Sequence, residues 1–465
     1  MSGWLPLVEL LKYELIQAVE EGKDTAELEE EVHAALDSGD EAQMEIAYDH
    51  LDLAPFKADF PFDEPSDLDS IRTKSPKKPI HLDDSNSLAD WKDKFYGAWL
   101  GRCCGCALGK PLEMRPFTAG RDGKPGWGFI HDWFNAAGAF PIKGYTPGIS
   151  PFGANIGLTE LRDPPSQREK IRFMESDDDI RYTVLGLLLT EQRGRDWDSW
   201  DVGKHWHLWL PYGKVFTAET QAYLNFARVT CGAEGKYFPR PPDWPARLEW
   251  VRRYRNPFRE WIGAQIRADG YAYAAAGDPI LAAEFAWRDA SFSHVKNGVY
   301  GEMFIAAMIA AAFVEADNRK LVQIGLNVIP ENCRLAQDVN QAIEIATTCA
   351  DQLELVERIW EAFSHYDPFH TNNNASLVVA ALLFAGDDFE KGITTAVLGG
   401  WDTDCNGATL GSILGAKLGA DNIPETWKAP FNDTLYAEIP GFHPIPISEC
   451  ANRSHAVWQR MRTGG

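Results

Sequence analysis

Three consecutive aspartates, Asp177, Asp178 and Asp179, follow Ser176 and stand just before a run of apolar residues at helical spacing. A capping alternative explains part of this pattern. A serine with an acid three residues later is a capping box, and acids in the first turn of a helix interact favourably with its dipole. A cap needs only one or two acids, however, and adjacent aspartates repel one another. A bound cation would relieve that repulsion, so the segment is a candidate metal site.

A second acidic pair, Asp402 and Asp404, follows two glycines at 399–400. A helix predicted over 389–398 ends at these glycines, and the next helix is predicted to begin near Asp402, which could be its N-cap. Carboxylates in a D-x-D arrangement at a helix start converge on one point, and oxygen ligands suit Mg²⁺, Mn²⁺ or Ca²⁺ rather than zinc. Two aspartates from each motif carry four negative charges, which two divalent cations would neutralise.

Two predicted helices that could position these motifs have glycine at every fourth position. The rows are Gly97, Gly101, Gly105, Gly109 and Gly407, Gly411, Gly415, Gly419. Glycine inside a helix costs ~0.5–1 kcal/mol relative to alanine, so such rows indicate close packing along the i±4 ridge. We expect this packing to bring the ends of the two helices together.

Helical patterns dominate the rest of the chain, and no convincing run of alternating strand residues occurs, so we predict an all-α fold. Apolar residues at three-to-four spacing predict three short helices, over 5–20, 25–36 and 41–51. Five prolines then stiffen the connection from Asp52 to Ser87. The chain is therefore predicted to have an N-terminal helical extension and Pro-rich linker over 1–87 and a main domain over 88–465.

One long connection, from Met114 to Glu175, is rich in glycine, proline and aromatic residues and has no long amphipathic segment. Structureless loops longer than ~12–15 residues are uncommon in compact domains. The segment is therefore either a functional lid or contains short elements that periodicity does not reveal.

The composition excludes several functional classes. Lys and Arg number 45 and Asp and Glu 68, which gives a net charge of −23, and such a surface repels nucleic acid and anionic membranes. No apolar run reaches the ~18 residues of a membrane span, and no export signal is visible. Eight cysteines form neither paired C-x-x-C motifs nor a disulfide-like rhythm. We expect a cytoplasmic protein with free thiols, and the sequence leaves its oligomeric state open.

The order of motifs resembles the ADP-ribosylglycohydrolase family, the all-helical relatives of dinitrogenase-reductase-activating glycohydrolase, over nearly all of Trp91 to Gly419. Five elements carry the resemblance: GAWLGRCCGCALGKPLE at 97–113, SDD at 176–178, GAQIR at 263–267, a His-then-Gly element at 294–301 and GGWDTD at 399–404. Elements of this kind in family order make the resemblance specific.

The resemblance implies a compact helical fold with two Mg²⁺ ions, or Mn²⁺, between the two acidic motifs. The implied metal ligands are Ser176, Asp177, Asp178, Asp402 and Asp404. The implied catalytic residues are Asp177, Asp178 and Glu113, with Glu113 on a mobile loop that closes over the ions and the substrate. In the alternative, Glu113 is simply solvated.

The resemblance also implies a set of substrate-binding residues. Asn297, Gly298, Tyr300 and Gly301 would line an ADP-ribose cleft, and His294 would lie near the pyrophosphate or the distal ribose. His294 could instead cap the preceding helix. One asparagine of the run 372–374 is predicted to be the N-cap of the buried helix that follows, with a substrate contact as the second option.

Two positions depart from the family pattern. Cys405 follows the D-x-D pair where the family often has a hydroxyl residue, and Cys106 stands in the turn of the first motif where an acid is common. A thiol is a poor ligand for hard Mg²⁺, and we expect Cys405 not to bind metal.

The motifs together lead us to expect a Mg²⁺-dependent hydrolase that cleaves the glycosidic bond at C1 of the distal ribose in an ADP-ribosylated protein or small molecule. One alternative is a non-catalytic ADP-ribose-binding or crystallin-like structural relative. The other is a dinuclear phosphodiesterase or pyrophosphatase, because paired metal ions also promote phosphoryl displacement. The sequence does not identify the leaving group.

Overall fold

A computed structural model describes residues 5–76, 82, 85–230 and 240–463 of the chain. The first half of these residues forms α1 (Leu7–Glu20), α2 (Leu28–Ser38), α3 (Glu41–Leu53), α4 (Leu68–Lys74), α5 (Leu88–Gly109), α6 (Gly126–Ala136), α7 (Gly153–Ile156), α8 (Asp178–Arg193), α9 (Ser199–Trp209), α10 (Thr217–Thr230) and α11 (Trp244–Arg253).

The second half forms α12 (Ala268–Ala274), α13 (Pro279–Ala290), α14 (Lys296–Ala312), α15 (Asn318–Leu326), α16 (Arg334–Thr348), α17 (Gln352–Phe363), α18 (Thr371–Ala385), α19 (Phe389–Leu398), α20 (Thr403–Leu418), α21 (Glu425–Lys428) and α22 (Ile447–Thr463). Strands β1 (Thr434–Leu435) and β2 (Ile445–Pro446) form a small antiparallel pair. The predicted all-α class is therefore confirmed.

The N-terminal extension contains the three predicted helices, α1 to α3. Its linker contains α4, which the proline pattern did not predict. Asp67 begins this helix by accepting a hydrogen bond at Oδ1 from the Ser70 backbone N–H at 2.9 Å, and seven residues are too few to show a periodicity. Residues 77–81 and 83–84 of the predicted linker lie outside the described residues.

The segment from Met114 to Glu175 is packed and contains short elements, α6 and α7. Trp133 of α6 is fully buried, and its ring packs edge-on against Phe117 at 5.7 Å between centroids. The alternative of short elements that periodicity does not reveal is therefore confirmed, and the aromatic residues supply the segment with a core of its own.

The two glycine rows lie on α5 and on α20 with its C-cap Gly419, and the helices pack closely from Gly97 to Gly109 of α5. A Cβ added to Gly105 would lie 1.8 Å from the carbonyl oxygen of Gly407, and one added to Gly101 would lie 2.0 Å from that of Gly411. Only glycine permits backbones this close. The packing confirms the predicted contact and brings the C-terminal end of α5 beside the N-terminal end of α20.

None of the helices in the described ranges is both long enough and apolar enough to cross a bilayer.

Candidate metal centre

The first acidic motif lies at the start of α8, where the capping alternative assigned the wrong residues. Asp177, rather than Ser176, is the N-cap, and its Oδ1 accepts a hydrogen bond from the Asp179 backbone N–H at 3.0 Å. Ser176 Oγ instead accepts a hydrogen bond from Arg181 Nη1 at 2.8 Å. The cap uses one oxygen of one aspartate and leaves the Asp178 carboxylate for other partners.

Asp179 points toward the core, where Arg102 neutralises it. Arg102 Nη2 lies 3.0 Å from Asp179 Oδ1, and Arg102 Nη1 lies 2.6 Å from Asp269 Oδ2. All three side chains are buried. The third aspartate of the motif is thus held by a buried arginine, which explains its presence beside the other two.

The second acidic motif lies at the start of α20, as predicted. Asp402 occupies the N-cap position, but its side chain makes no capping hydrogen bond. Asn374 Oδ1 instead accepts hydrogen bonds from the Asp402 backbone N–H at 3.2 Å and from Asn406 Nδ2 at 2.7 Å. This amide holds the start of the helix, so the Asp402 carboxylate is not needed as a cap.

The asparagine run that contains Asn374 does not cap α18. His370 is the N-cap of that helix and accepts a hydrogen bond at Nδ1 from the Asn372 backbone N–H at 3.1 Å. The prediction of an asparagine cap is therefore wrong. The physical reason is that the helix begins one turn earlier than the apolar run, which places Asn374 inside it.

The two motifs converge, although 224 positions separate Asp178 and Asp402 in the chain. Ligand oxygens of Glu113, Asp402 and Asp404 all lie within 4.8 Å of one another, and so do those of Asp177, Asp178 and Asp179. The Cys106 thiol, Asp177 and Asp404 form a third such group, which joins the first motif to the second.

Burial and mutual repulsion set the protonation of the second motif. Burial, together with the neighbouring Asp177 and Asp178, raises the pKa of Asp404 to about 7. Burial, followed by Asp404 and Glu113, raises the pKa of Asp402 well above its usual range. Asp404 Oδ1 has no hydrogen-bond partner among the described residues. A buried acceptor without a donor is costly, and a cation would satisfy it.

Lys110 supplies one positive charge to this cluster. Its ammonium donates to Asp177 Oδ2 at 2.8 Å and to the Ser176 carbonyl oxygen at 2.9 Å. Burial acts to lower the pKa of Lys110, but Asp177 and the further acidic groups around it together outweigh burial, and the pKa is raised. Burial likewise acts to raise the pKa of Asp177, but Lys110, Arg181 and the Asp179 backbone N–H together more than offset burial, so that pKa is lowered. The two cations, Lys110 and Arg181, are fewer than the carboxylates of the cluster.

The donor set fits a hard divalent cation. Within each group the ligand oxygens lie within 4.8 Å of one another, and one buried oxygen, Asp404 Oδ1, has no partner among the described residues. Carboxylate oxygens are the donors that Mg²⁺ and Mn²⁺ prefer. Among the described residues, Cys106 is the cysteine whose thiol groups with these acids, whereas the buried Cys405 thiol contacts Thr409 Oγ1 at 3.9 Å. Of the two departures from the family pattern, Cys106 is therefore the one that bears on metal binding.

A cavity of about 980 Å³ opens from the acidic cluster. The sequence-predicted residues on its wall are Glu113, Ser176, Asp177, Asp178 and Asp402. Glu113 has the largest exposed surface of this set. Drug-sized ligands occupy cavities of ~300–1,000 Å³, so the volume admits a dinucleotide-sized molecule.

The predicted substrate-binding residues do not line this cavity. Asn297 Nδ2 donates to Glu64 Oε1 at 2.8 Å, and the Tyr300 hydroxyl donates to the Pro65 carbonyl oxygen. A Cβ on Gly298 would lie 2.6 Å from a backbone oxygen, and one on Gly301 would lie 2.3 Å from a side-chain carbon. The linker of the N-terminal extension covers this element, and a substrate role for it stays a prediction.

His294 is buried behind the cavity wall and does not cap α13, whose C-cap is Ser291. Its Nε2 lies 4.0 Å from Glu219 Oε1, and Glu219 does line the cavity. Burial raises the pKa of Glu219 to about 7, although Arg267 acts against this shift. His294 therefore meets the cavity wall from behind, at Glu219. The sequence did not predict Glu219, because a lone glutamate outside any motif has no pattern.

Lys110 and Asn374 both stand in recognisable sequence patterns, although neither pattern predicted the contacts that the structure shows. Lys110 lies inside the first family motif, immediately before Pro111, and Asn374 ends a three-asparagine run. The contribution of α1 to the cavity wall had no signal, because nothing in a surface-like amphipathic helix indicates where it docks.

The sequence model of a family described as ADP-ribosylglycohydrolase matches residues 87–456. No curated protein matches the chain. A solved structure described as an ADP-ribosylglycohydrolase-related protein complex is similar, with 19% identity and a TM-score of 0.45, over 80% of this chain and 100% of that chain. The family match covers most of the sequence, and the chain belongs to the ADP-ribosylglycohydrolase family.

Proposed function

We propose that this protein is a divalent-metal-dependent hydrolase that cleaves the glycosidic bond at C1 of the distal ribose in an ADP-ribosylated protein or small molecule and releases ADP-ribose. The observation that carries the proposal is the convergence of Asp402 and Asp404 with Asp177, Asp178 and Glu113 at one end of a large cavity. Family membership supports the same class of hydrolase.

The residues divide into those that would hold metal and those that would move a proton. Asp177, Asp178, Asp402 and Asp404, with Ser176, would hold two Mg²⁺ or Mn²⁺ ions. Bound divalent ions supply Lewis-acid activation of water and orientation of ribose hydroxyls.

Glu113 is suited to accept a proton from the attacking water. Its carboxylate lines the cavity and lies within 4.8 Å of ligand oxygens of Asp402 and Asp404, beside the place where the ions would bind. Burial, followed by Asp404, Asp178 and Asp177, raises the pKa of Glu113 well above its usual range, and bound cations would act to lower it. Asp177 and Asp178 are the other candidates for this role. Glycosidases commonly divide acid and base roles between two carboxylates across the bond that breaks. The cavity wall supplies both signs of charge for a substrate with a pyrophosphate and a neutral sugar.

Product analysis tests the proposal. The wild-type protein with Mg²⁺ or Mn²⁺ is incubated with a panel of ADP-ribose conjugates to arginine, serine, a nucleobase and acetate, and with free ADP-ribose. Release of ADP-ribose from one conjugate supports glycosidic cleavage, and the panel identifies the leaving group. AMP as the product would instead show pyrophosphate cleavage. Binding of ADP-ribose with no turnover of any conjugate would show a binding protein.

A matched control separates this activity from a contaminant. Asp404→Asn removes one negative charge from the cluster, whereas Asp388→Asn makes the same change at the N-cap of α19, where Oδ1 accepts from the Lys391 backbone N–H. We expect loss of turnover only in Asp404→Asn.

A further inference from the structure

The first helix of the N-terminal extension, α1, is joined to the main domain by buried ion pairs. Arg259 donates to Glu14 through Nη1 at 2.7 Å and Nη2 at 2.8 Å, and to Glu21 through Nε at 2.6 Å. None of these three side chains is more than 1% exposed. Removing one partner of a buried pair leaves an uncompensated charge, so α1 is held firmly against the segment that contains Arg259.

A second set of contacts extends this junction. Gln17 Nε2 donates to Glu260 Oε2 at 2.7 Å. Arg334 Nη2 contacts both Glu260 Oε1 and Glu64 Oε2 at 2.7 Å. The helix therefore contacts Glu260 directly, and the linker reaches the same glutamate through Arg334.

The segment that α1 holds is paired with a second loop of the cavity wall. The Ile262 backbone N–H donates to the Phe369 carbonyl oxygen at 2.8 Å, and the Thr371 backbone N–H donates to the Glu260 carbonyl oxygen at 3.2 Å. Both loops line the cavity that opens from the acidic cluster. Docking of α1 thus determines the shape of one end of this cavity.

The helix also places its own side chains on the cavity wall. Glu9 and Tyr13 line it, as does Leu5 just before the helix, and the four-residue spacing of Glu9 and Tyr13 puts these two on one helix face. The Tyr13 ring lies 5.1 Å from the Phe258 ring and 5.6 Å from the Trp261 ring, both edge-on. These residues precede the part of the chain that matches the family, residues 87–456.

Aromatic rings and carboxylates face the cavity at this end. Trp261 and Phe369 have ring centroids 6.0 Å apart and both line the cavity, as does the Asp367 carboxyl. Asp367 Oδ1 accepts from the Phe369 backbone N–H at 3.0 Å. Glu9 accepts from Lys12 at 2.8 Å, in an exposed pair that a ligand can replace at small cost. Aromatic faces with nearby carboxylates recognise flat groups that carry N–H donors.

We propose that α1 forms a specificity subsite of the active site, in which Tyr13, Glu9 and Asp367 bind a planar, N–H-bearing group of the substrate. The proposal rests on the proposed function for the identity of the substrate, because an ADP-ribose conjugate offers two such groups. One is the adenine base. The other is a planar leaving group such as a guanidinium.

Equilibrium binding tests the subsite without requiring turnover. Dissociation constants for adenosine and for agmatine, which carries a guanidinium, are measured by calorimetry with the full chain and Mg²⁺. We expect Tyr13→Ala to raise one of them about tenfold, since aromatic stacking contributes ~1–3 kcal/mol per base. Adenosine as the affected ligand places the base in the subsite, and agmatine places the leaving group there.

Further variants separate binding from folding. Tyr13→Leu keeps apolar volume without an aromatic ring and should weaken the binding of the same ligand. Glu9→Gln should raise the dissociation constant of this ligand several-fold. Glu45→Gln, the same change at an exposed position of α3, should leave the constant unchanged. The increase in melting temperature on adding Mg²⁺ should be the same in all four variants.

The proposal is overturned if neither compound binds the wild-type protein, or if its dissociation constant is the same in the wild type, Tyr13→Leu and Glu9→Gln. Absence of ADP-ribose release by the wild-type protein would overturn the proposed function alone, because the binding measurement does not depend on turnover.

Discussion

The ammonium of Lys110 lies 2.8 Å from Asp177 Oδ2, inside the acidic cluster formed by the two motifs. Both side chains are largely buried, with 11% and 3% of their surface exposed. The lysine therefore acts as an internal cation for aspartates that would otherwise repel one another. A divalent ion that binds to Asp177 must compete with this ammonium or displace it.

Replacing Lys110 should make the fold more dependent on metal. Removal of one partner of a buried ion pair costs ~3–5 kcal/mol, so Lys110→Met should lower the melting temperature in EDTA by several degrees. Added Mg²⁺ should then raise it by more than in the wild type, because the ion no longer meets a positive charge. Thermal unfolding with and without Mg²⁺ measures both effects. Lys143→Met, at an exposed position, is the control, and equal Mg²⁺ responses in all three proteins would contradict this role.

Asp402→Asn and Asp404→Asn should each abolish the stabilisation by metal and leave the fold intact. Neither carboxylate caps α20, and both repel neighbouring acids, so an amide should not destabilise the metal-free protein at pH 8. Ligand binding at a hundredfold excess over Kd stabilises by ~2.7 kcal/mol, which Mg²⁺ titration of the wild type should show. A wild-type-like Mg²⁺ response in both variants would refute the metal centre.

Cys106 and Cys405 should differ in their effect on metal preference. The Cys106 thiol groups with Asp177 and Asp404, and burial, followed by Asp177, raises its pKa well above the usual range. A soft ion can deprotonate this thiol and bind it, whereas Mg²⁺ cannot use it well. Cys106→Ser should therefore weaken Co²⁺ and Zn²⁺ binding relative to Mg²⁺ and remove thiolate-to-Co²⁺ charge-transfer absorbance. Cys405→Ser should change neither, and a shift in its metal preference would show that Cys405 is a ligand.

Glu20 should make the free energy of unfolding depend on pH. Burial raises its pKa to about 8 from 4.5, and His370 Nε2 lies 3.7 Å away. The pKa of Glu20 is higher in the native state than in the unfolded state. The contribution of protonated Glu20 to the free energy of unfolding is therefore fully present below about pH 4.5 and is lost as pH rises through about 8. The slope reaches about 1.4 kcal/mol per pH unit. Denaturant unfolding between pH 5 and 9 should show a shallower decline for Glu20→Gln than for the wild type.

Glu219, whose pKa is about 7, titrates in the same pH interval in both the wild type and Glu20→Gln. The difference between the pH profiles of these two proteins therefore reports on Glu20 alone. Glu30→Gln, an exposed site on α2, should keep the wild-type slope. Parallel pH profiles for the wild type and Glu20→Gln would rule out a buried, protonated Glu20.

Local patterns predicted the elements well and the caps poorly. The helix over 389–398 ends at its glycine pair as predicted, and α20 begins after Asp402. The cap of α18 was misassigned, because serine, aspartate, asparagine and histidine can all accept the hydrogen bond that a helix start needs. Which of several neighbouring acceptors does so depends on where packing begins the helix.

The sequence by itself determined the helical class, the order of the family motifs and the close contact of α5 with α20, because spacing along one helix and the absence of Cβ atoms are properties of the chain. Only the tertiary structure decided that Lys110 lies among the aspartates, that the linker covers Asn297 and that α1 closes one end of the cavity. The hydrogen bonds that make these contacts join residues 67, 233 and 245 positions apart. They depend on how whole helices pack, and no local spacing specifies that.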